Sequence, residues 1–410
     1  MKRQLFFSGV VLSFLALSFA KAQNIQFEDA NFKAALLFAS PENGIAKDVN
    51  GNPVAIDVNG DGEISQEEAL NIYQLSTGRG KIVSMKEIEY FTNLTRLNCL
   101  SFYMLKNLDI SKNINLQTLW LSNIKIETLD LSKNTNLQSL NLSFIKIKTL
   151  DLSKNINLQS LDLSFTQIRT LDLSKNINLQ KLDLSYNYKL QTLNLSKNIN
   201  LQKLDLSDPR MKTFDVLKNI SLQELSLSGA RMKTLDVSKN INLQGLWLNN
   251  IRMKTLDISK NINLRSLNIS KNIDLLSLNN ILYSIRIKTL DISKNINLQT
   301  LDLYNTKIET LDVSHNINLV SLNLTDCSKL TSLYMKNGVK KIFNYPSYNN
   351  YDFRWTNLKY ICCDEDEIDT VKDYMQNLGE KKLLANSWQM SNLTVTSDCG
   401  TADAKEILPK

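Results

Sequence analysis

Between Leu94 and Lys336 the chain repeats one phrase, and that repetition limits the possible folds more than any other feature. Thr149-Leu150-Asp151-Leu152-Ser153-Lys154-Asn155 returns as Thr170-Leu171-Asp172-Leu173-Ser174-Lys175-Asn176. The asparagines Asn113, Asn134, Asn155, Asn176, Asn198, Asn219, Asn240 and Asn261 advance by 21 residues, once by 22. Each repeat holds two Leu-x-Leu segments 10 or 11 residues apart. Residues two apart share one side of an extended strand, and no helix would keep this pattern in register. Each unit therefore reads as two short strands and two turns. One unit alone cannot bury its leucines, so neighbours must stack and share a core. The asparagine at the strand-to-turn step is expected to point inward. There it would satisfy backbone groups of the adjacent turn.

Ile168-x-x-Leu171-x-Leu173-x-x-Asn176 resembles the leucine-rich-repeat signature. The doubling at 10 and 11 residues resembles the nested short repeats of secreted bacterial proteins. The resemblance implies a β-rich leucine-rich-repeat solenoid. It would be a right-handed coil with short parallel strands on both faces and a small α/β cap at each end. The expected division is a signal peptide at 1–22, an N-terminal cap at 23–91, the solenoid at 92–339 and a C-terminal cap at 340–410.

The first 22 residues carry Lys2 and Arg3, an apolar run from Leu5 to Ala20, and the small-residue site Ala20-Lys21-Ala22. This is a signal-peptide pattern, and the mature chain should begin at Gln23. The run is too short for a membrane anchor. Losing Lys2, Arg3 and Lys21 takes the formal net charge from +7 to +4. Nucleic-acid binding would want a concentrated basic face. Here lysines recur beside aspartates, as in Asp151 and Lys154, so no nucleic-acid partner is expected.

In the N-terminal cap, Phe27 to Leu37 reads as a short amphipathic helix covering the first coil. Asp57-Val58-Asn59-Gly60-Asp61-Gly62-Glu63-Ile64-Ser65-Gln66-Glu67-Glu68 resembles the EF-hand calcium loop. Asp57, Asn59 and Asp61 fall at positions 1, 3 and 5, and Gly62 at the sharp turn. Glu63 would offer its carbonyl, Ser65 a side chain or water, and Glu68 a bidentate carboxylate. A structural calcium ion is the expected cofactor; the alternative is an acidic turn without metal. Ser65 to Glu68 also has the spacing of a capping box, opening a helix expected to carry Ala69, Leu70, Tyr73 and Leu75. Upstream, Lys47 to Pro53 looks like a turn between strands, so a paired, switching hand is not expected. The entry, cap and loop together resemble internalin-like secreted proteins.

The rhythm slips once. The asparagine step from Asn261 to Asn295 is 34 residues. Either the two halves of the coil exchange faces beyond residue 267, or a segment within Asn272 to Ile287 loops out. Asn280, where an inward leucine is due, favours the loop. Beyond Lys340 a strand at Leu358–Cys363, a helix opened by a capping box at Asp364–Glu367 and ended by Gly379, and a strand at Asn392–Thr396 form the last cap. Cys399 should pair with Cys362 or Cys363. Cys362 is favoured, because Ile361 and Cys363 share the opposite strand face. Cys99 and Cys327 lie many coils apart and should stay free.

No enzyme is expected. The lone histidine, His315, stands on a solvated turn where other copies carry Lys. There is no glycine-rich phosphate loop and no transition-metal cluster. The asparagine-bearing half of each unit is nearly uniform and has little information for choosing a ligand. The other half varies. Between its two apolar positions stand Trp120, Asn141, Asp162, Asp183, Asp205, Ser226 and Trp247. Two places beyond stand Asn123, Phe144, Phe165, Tyr186, Asp208, Gly229 and Asn250. Stacking would gather Phe144, Phe165 and Tyr186 into an aromatic strip beside Asp162, Asp183 and Asp205, flanked by Trp120 and Trp247. The alternative is that the rings fold over the coil edge as packing. The expected function is recognition of an extracellular protein or glycan by a secreted or outer-surface, adhesin-like monomer. The other readings are a passive matrix protein and a glycan-capturing accessory.

Overall fold

The computed structural model describes residues 23–78, 81–207, 211, 214–229, 232–251, 253–270, 287–341, 343, 351–384 and 389–400. The signal segment, Asp208 and most of the Asn272–Ile287 segment lie outside these residues.

The leucines stack as their spacing demands. Leu97, Leu119, Leu140, Leu161, Leu182 and Leu204 are register partners on successive parallel strands. All six are at most 2% exposed. Among the described residues the variable halves of the coils, with the cap strands Ala46–Lys47 and Pro53–Val54, build one sheet of 15 strands, parallel from Gln74–Gly78 onward. Strands stand on both faces, but unequally. On the uniform side, among the described residues, ladder pairing joins only Thr310–Asp312, Ser332–Tyr334, Tyr360–Cys362 and Thr394–Thr396. In earlier coils the uniform half meets its neighbours mainly through side chains. Asn176 Nδ2 donates to Leu152 O (3.1 Å) and Asn155 O (2.9 Å) of the preceding coil. The same double bond recurs from Asn113 to Asn316. Every one of these amides is buried, and its Oδ1 has no partner. A second, outer ladder runs beside it. Asn178 Nδ2 donates to Ile156 O at 3.2 Å, and its equivalents do likewise.

The slip at Asn261 is not an exchange of faces. Ser266–Asn268 pairs directly with Thr300–Asp302, and Asn295 donates to Asn261 O at 2.9 Å. The coil resumes on the same faces, so the halves do not exchange.

Both ends are closed. The first helix is Ala30–Leu37, and its N-cap Asp29 accepts from the Asn31 and Phe32 amides. Phe32 and Leu36 are fully buried. The Lys47–Pro53 turn joins two antiparallel strands, Ala46–Lys47 and Pro53–Val54. The Ser65–Glu68 capping box is present, but its helix runs only from Gln66 to Leu70. Asn71 caps it, and Leu75 becomes a strand residue paired with Ala46 and Leu97. The solenoid sheet thus begins inside the expected cap. At the far end it outlasts residue 339, since Tyr351–Asp352 and Tyr360–Cys362 extend the two sheets. The closing helix is Ile368–Glu380, burying Val371, Met375 and Leu378. It runs past Gly379, and the left-handed residue beyond its end is Lys382 (φ 54°). The capping box expected at Asp364 does not form. Asp364 instead accepts from the Asn337 and Gly338 amides, and Glu367 from the Lys341 amide. Both carboxylates hold the buried Lys341 ammonium, at 3.1 and 3.0 Å. A buried charge needs such partners, so these side chains serve the cap rather than the helix end.

Cys362 and Cys399 form a disulfide with Cα atoms 5.4 Å apart. Cys99, Cys327 and Cys363 are free and buried. Burial pushes the Cys99 thiol up to about 12 and those of Cys327 and Cys363 to about 11, which makes them poor nucleophiles. Non-reducing peptide mapping should recover Cys399 linked to Cys362 and alkylatable Cys99, Cys327 and Cys363 only after unfolding. A Cys363–Cys399 peptide would contradict this placement.

Candidate functional site

The aromatic strip occupies a column with a backbone rule of its own. Asn123, Phe144, Phe165, Tyr186, Gly229, Asn250, Asn305 and Asp326 all have φ between 55° and 73°. The coil turns out of the sheet here, and each amide donates to the next coil, as Phe165 N does to Ser185 O at 3.0 Å. This left-handed region suits Gly, Asn and Asp, and for other residues it costs about 1–2 kcal/mol. Phe144, Phe165 and Tyr186 sit there regardless. Phe144 is 52% and Phe165 41% exposed, and Tyr186 is half-buried.

The rings stack on one another. Phe144 and Phe165 centroids are 4.3 Å apart at 11° between planes, and Phe165 and Tyr186 4.2 Å at 17°. Each such contact contributes about 0.5–1.5 kcal/mol, comparable to the backbone cost. Phe144 and Phe165 stand out of the core, and the three rings lie along the coil edge on one another. Tyr188 extends the cluster edge-on to Tyr186 at 6.3 Å, 48% exposed. It lies in the single 22-residue step, a signal that could have found it.

On the sheet face, Asp162, Asp183 and Asp205 are register partners. Each turns one oxygen to the serine two residues on: Ser164 N at 2.9 Å, Ser185 N and Ser207 N at 2.8 Å. Burial, then the charges of Asp205 and Asp162, raise the carboxyl of Asp183 above the usual range. On the uniform face the same residue type behaves oppositely. Asp151 is exposed, and the Ser153 amide, the Ser153 hydroxyl and Lys154 hold its carboxyl below the usual range. The three stacked aspartates and Trp247 line one shallow depression of about 280 Å³, with Lys181, Lys203 and Glu224. Trp247 lies over Gly245, where a Cβ would collide with the indole. Trp120 stands apart from this depression. Its Nε1 donates to Ser139 Oγ at 3.1 Å, and the Arg96 guanidinium lies 5.7 Å above its ring.

The acidic loop folds tightly on its own amides. Asp57 accepts from Gly60 N (2.7 Å) and Gly62 N (2.9 Å), Asn59 from Asp61 N, and Asp61 from Glu63 N. Glu68 reaches back to Val58 N at 3.0 Å, and its other oxygen accepts from Ser65 N at 2.8 Å. The Glu63 side chain pairs with Lys33 at 2.6 Å, leaving its carbonyl as the relevant donor. All six candidate ligands offer hard oxygens in one loop, which fits calcium in kind. Among the described residues, however, no three Asp, Glu, His or Cys side chains gather closely enough to hold a metal. His315 is exposed, with Nδ1 3.3 Å from Ser314 Oγ.

No family model and no curated protein sequence matches the chain. Solved structures do. The functional domain of InlJ from Listeria monocytogenes is 24% identical over 77% of this chain and 74% of its own, with a TM-score of 0.59. The internalin InlF from the same organism is 19% identical over 88% and 91%, TM-score 0.56. A leucine-rich-repeat protein of Leptospira interrogans is 21% identical over 86% and 98%, TM-score 0.56. The chain has an internalin-like leucine-rich-repeat fold. The InlJ domain is described as including a cysteine ladder. In the present chain one slot on the variable side holds Thr166, Asn187, Thr306 and Cys327. Thr166 Oγ1 donates to Asn187 Oδ1 at 2.6 Å, and Cys327 Sγ donates to Leu303 O at 3.0 Å. Among the described residues no helix is long and apolar enough to cross a membrane.

Proposed function

We propose that this leucine-rich-repeat protein is a secreted or outer-surface recognition protein without catalytic activity, and that it binds an extracellular protein through its variable face. The observation that carries this reading is the Phe144–Phe165–Tyr186 stack, with both phenylalanines exposed, held at positions whose backbone favours asparagine. Exposed aromatics of this kind are enriched at binding hot spots. The Asp162–Asp183–Asp205 row and Trp247 supply polar and apolar contacts on the adjoining sheet face.

The geometry also weighs protein against glycan. Sugars bind aromatic rings by their faces. Here the inner ring faces are occupied by one another, and the strip presents mainly ring edges, with their positive rim. Edges meet peptide carbonyls, carboxylates and other aromatic side chains. A pull-down from candidate extracellular proteins, run beside a glycan array, tests the choice. Capture of a protein that the three-ring variant fails to capture is expected. A glycan signal lost in that variant, without protein capture, would reverse the reading toward glycan capture. Retention of capture by the variant would move the binding surface off the strip, and no capture of protein or glycan by the unaltered chain would leave the passive matrix role as the better account.

The loop at 57–68 is proposed as a low-affinity structural calcium site held by Asp57, Asn59, Asp61, Glu63, Ser65 and Glu68. Calcium would draw these oxygens together and replace part of the amide bonding. It would tie the loop to Ile25, whose amide donates to Ile64 O at 2.8 Å. Calorimetry should detect binding at sub-millimolar to millimolar calcium. Asp57→Ala and Glu68→Ala should lower thermal stability in calcium and have little effect in chelator. No heat of binding at millimolar calcium would remove the proposal.

A further inference from the structure

The turn after each inner asparagine carries an exposed isoleucine. Ile114, Ile156, Ile177 and Ile199 are 53%, 52%, 51% and 51% exposed, and the row continues to Ile317 at 52%. Nine isoleucines fill ten successive coils, with Thr135 in the remaining rung. At about 4.8 Å per coil the stripe is roughly 43 Å long. Monomers seldom leave so long an apolar strip in water. The stripe is also rigid. The outer asparagine ladder grips its backbone, as Asn178 does Ile156 O and Asn136 does Ile114 O, both at 3.2 Å.

We infer that this isoleucine stripe is a self-association surface, occupied by the same stripe of a second copy in a parallel two-fold dimer. The stripe barely varies from coil to coil, so it has no information for choosing an irregular partner. It does fix a period. The partner that repeats apolar groups at the same coil spacing is another stack of these coils. With its polar borders the strip offers on the order of 800 Å² per partner, the size a stable interface uses. Its preformed turns lower the ordering cost of association.

The borders choose the orientation. One side of the isoleucine row is a lysine row, as at Lys154, and the other an asparagine row, as at Asn157. A two-fold axis along the solenoid lays each lysine row on the partner's asparagine amides, which can accept from ammonium. A two-fold axis across the solenoid would set lysine row against lysine row, at a repulsive cost. The dimer is therefore parallel, and Thr135 meets Thr135 when the copies are in register. This departs from the monomer expected from sequence alone. It leaves the aromatic strip unused, so the two surfaces can be tested separately.

Sedimentation equilibrium on the whole mature chain, from micromolar to near-millimolar, should give a monomer–dimer equilibrium. Ile156→Lys/Ile177→Lys/Ile199→Lys should raise the dissociation constant at least a hundredfold with unchanged circular dichroism. Ile→Thr at the same three positions, mimicking Thr135, should weaken it less. Single Ile114→Cys and Ile317→Cys chains should each form self-linked disulfide dimers. Cross-links only between the two different variants would mean an antiparallel pair and overturn the orientation. A monomer throughout the series, or dimers unchanged in the lysine variant, would overturn the inference. So would binding to phosphatidylglycerol vesicles that the lysine variant loses, in the absence of dimers.

Discussion

Asn176→Ala is expected to destabilise the protein by about 2–3 kcal/mol, while Asn178→Ala, two residues away, should cost only a few tenths. Asn176 is fully buried and donates two hydrogen bonds to carbonyls of the preceding coil. Removing the amide leaves Leu152 O and Asn155 O each short of a partner in a dry core. Each keeps one backbone donor, from Asn155 N and Leu158 N, so the full cost of two orphaned carbonyls is not reached. Loss of the unpartnered Oδ1 offsets part of the remainder. Asn178 makes its single bond at the exposed surface, where water replaces it. Urea unfolding of the two variants measures the difference. Equal and small effects would mean that leucine stacking, not the inner ladder, joins the uniform halves.

The second large effect concerns binding. Phe144→Asn/Phe165→Asn/Tyr186→Asn should abolish capture of the protein partner, at about 1–2 kcal/mol per ring, yet leave stability nearly unchanged. Asparagine is the residue that the column holds at 123, 250 and 305, where φ is 56° to 59°. Relief of the left-handed strain, about 1–2 kcal/mol per residue, offsets the lost ring stacking. Alanine would relieve less of that strain, so asparagine separates binding from folding more cleanly. Melting curves and partner capture are read on the same preparations. A large fall in melting temperature would make the rings structural, and undiminished capture would move the binding surface elsewhere.

Sequence made the coil legible because its rule is strict. A period of 21 with paired leucines admits one stacking pattern. The inner asparagines, the Cys362–Cys399 bridge and the outward rings are consistent with it. The illegible parts depend on competition between partners. Asp364 and Glu367 have capping-box spacing, but a buried Lys341 claims both. Tyr73 and Leu75 continue a helical stripe, but the sheet edge at Arg96–Leu100 offers Leu75 a ladder. Left-handed φ is visible at Gly229 and Asn123, yet aromatic residues in the same column conceal it. The outer asparagines read as surface filler, because their acceptors belong to another coil.

The inner ladder has a direction. Each asparagine reaches back to the coil before it, as Asn134 does to Ile110 and Asn113, and none of these amides reaches forward. A coil's amide therefore finds its acceptors on chain that has already left the ribosome. Chains emerge N-terminus first, so each new turn can lock onto a finished template without waiting for later coils. An interrupted chain would keep its inner asparagine amides satisfied, and only the forward-donating strand amides of its last coil, such as Leu163 N and Phe165 N, would stay open. Loss of the first coils, by contrast, would strand a buried donor at the new start. Growth from the N-terminal cap is the favoured polarity of assembly, set one amide at a time.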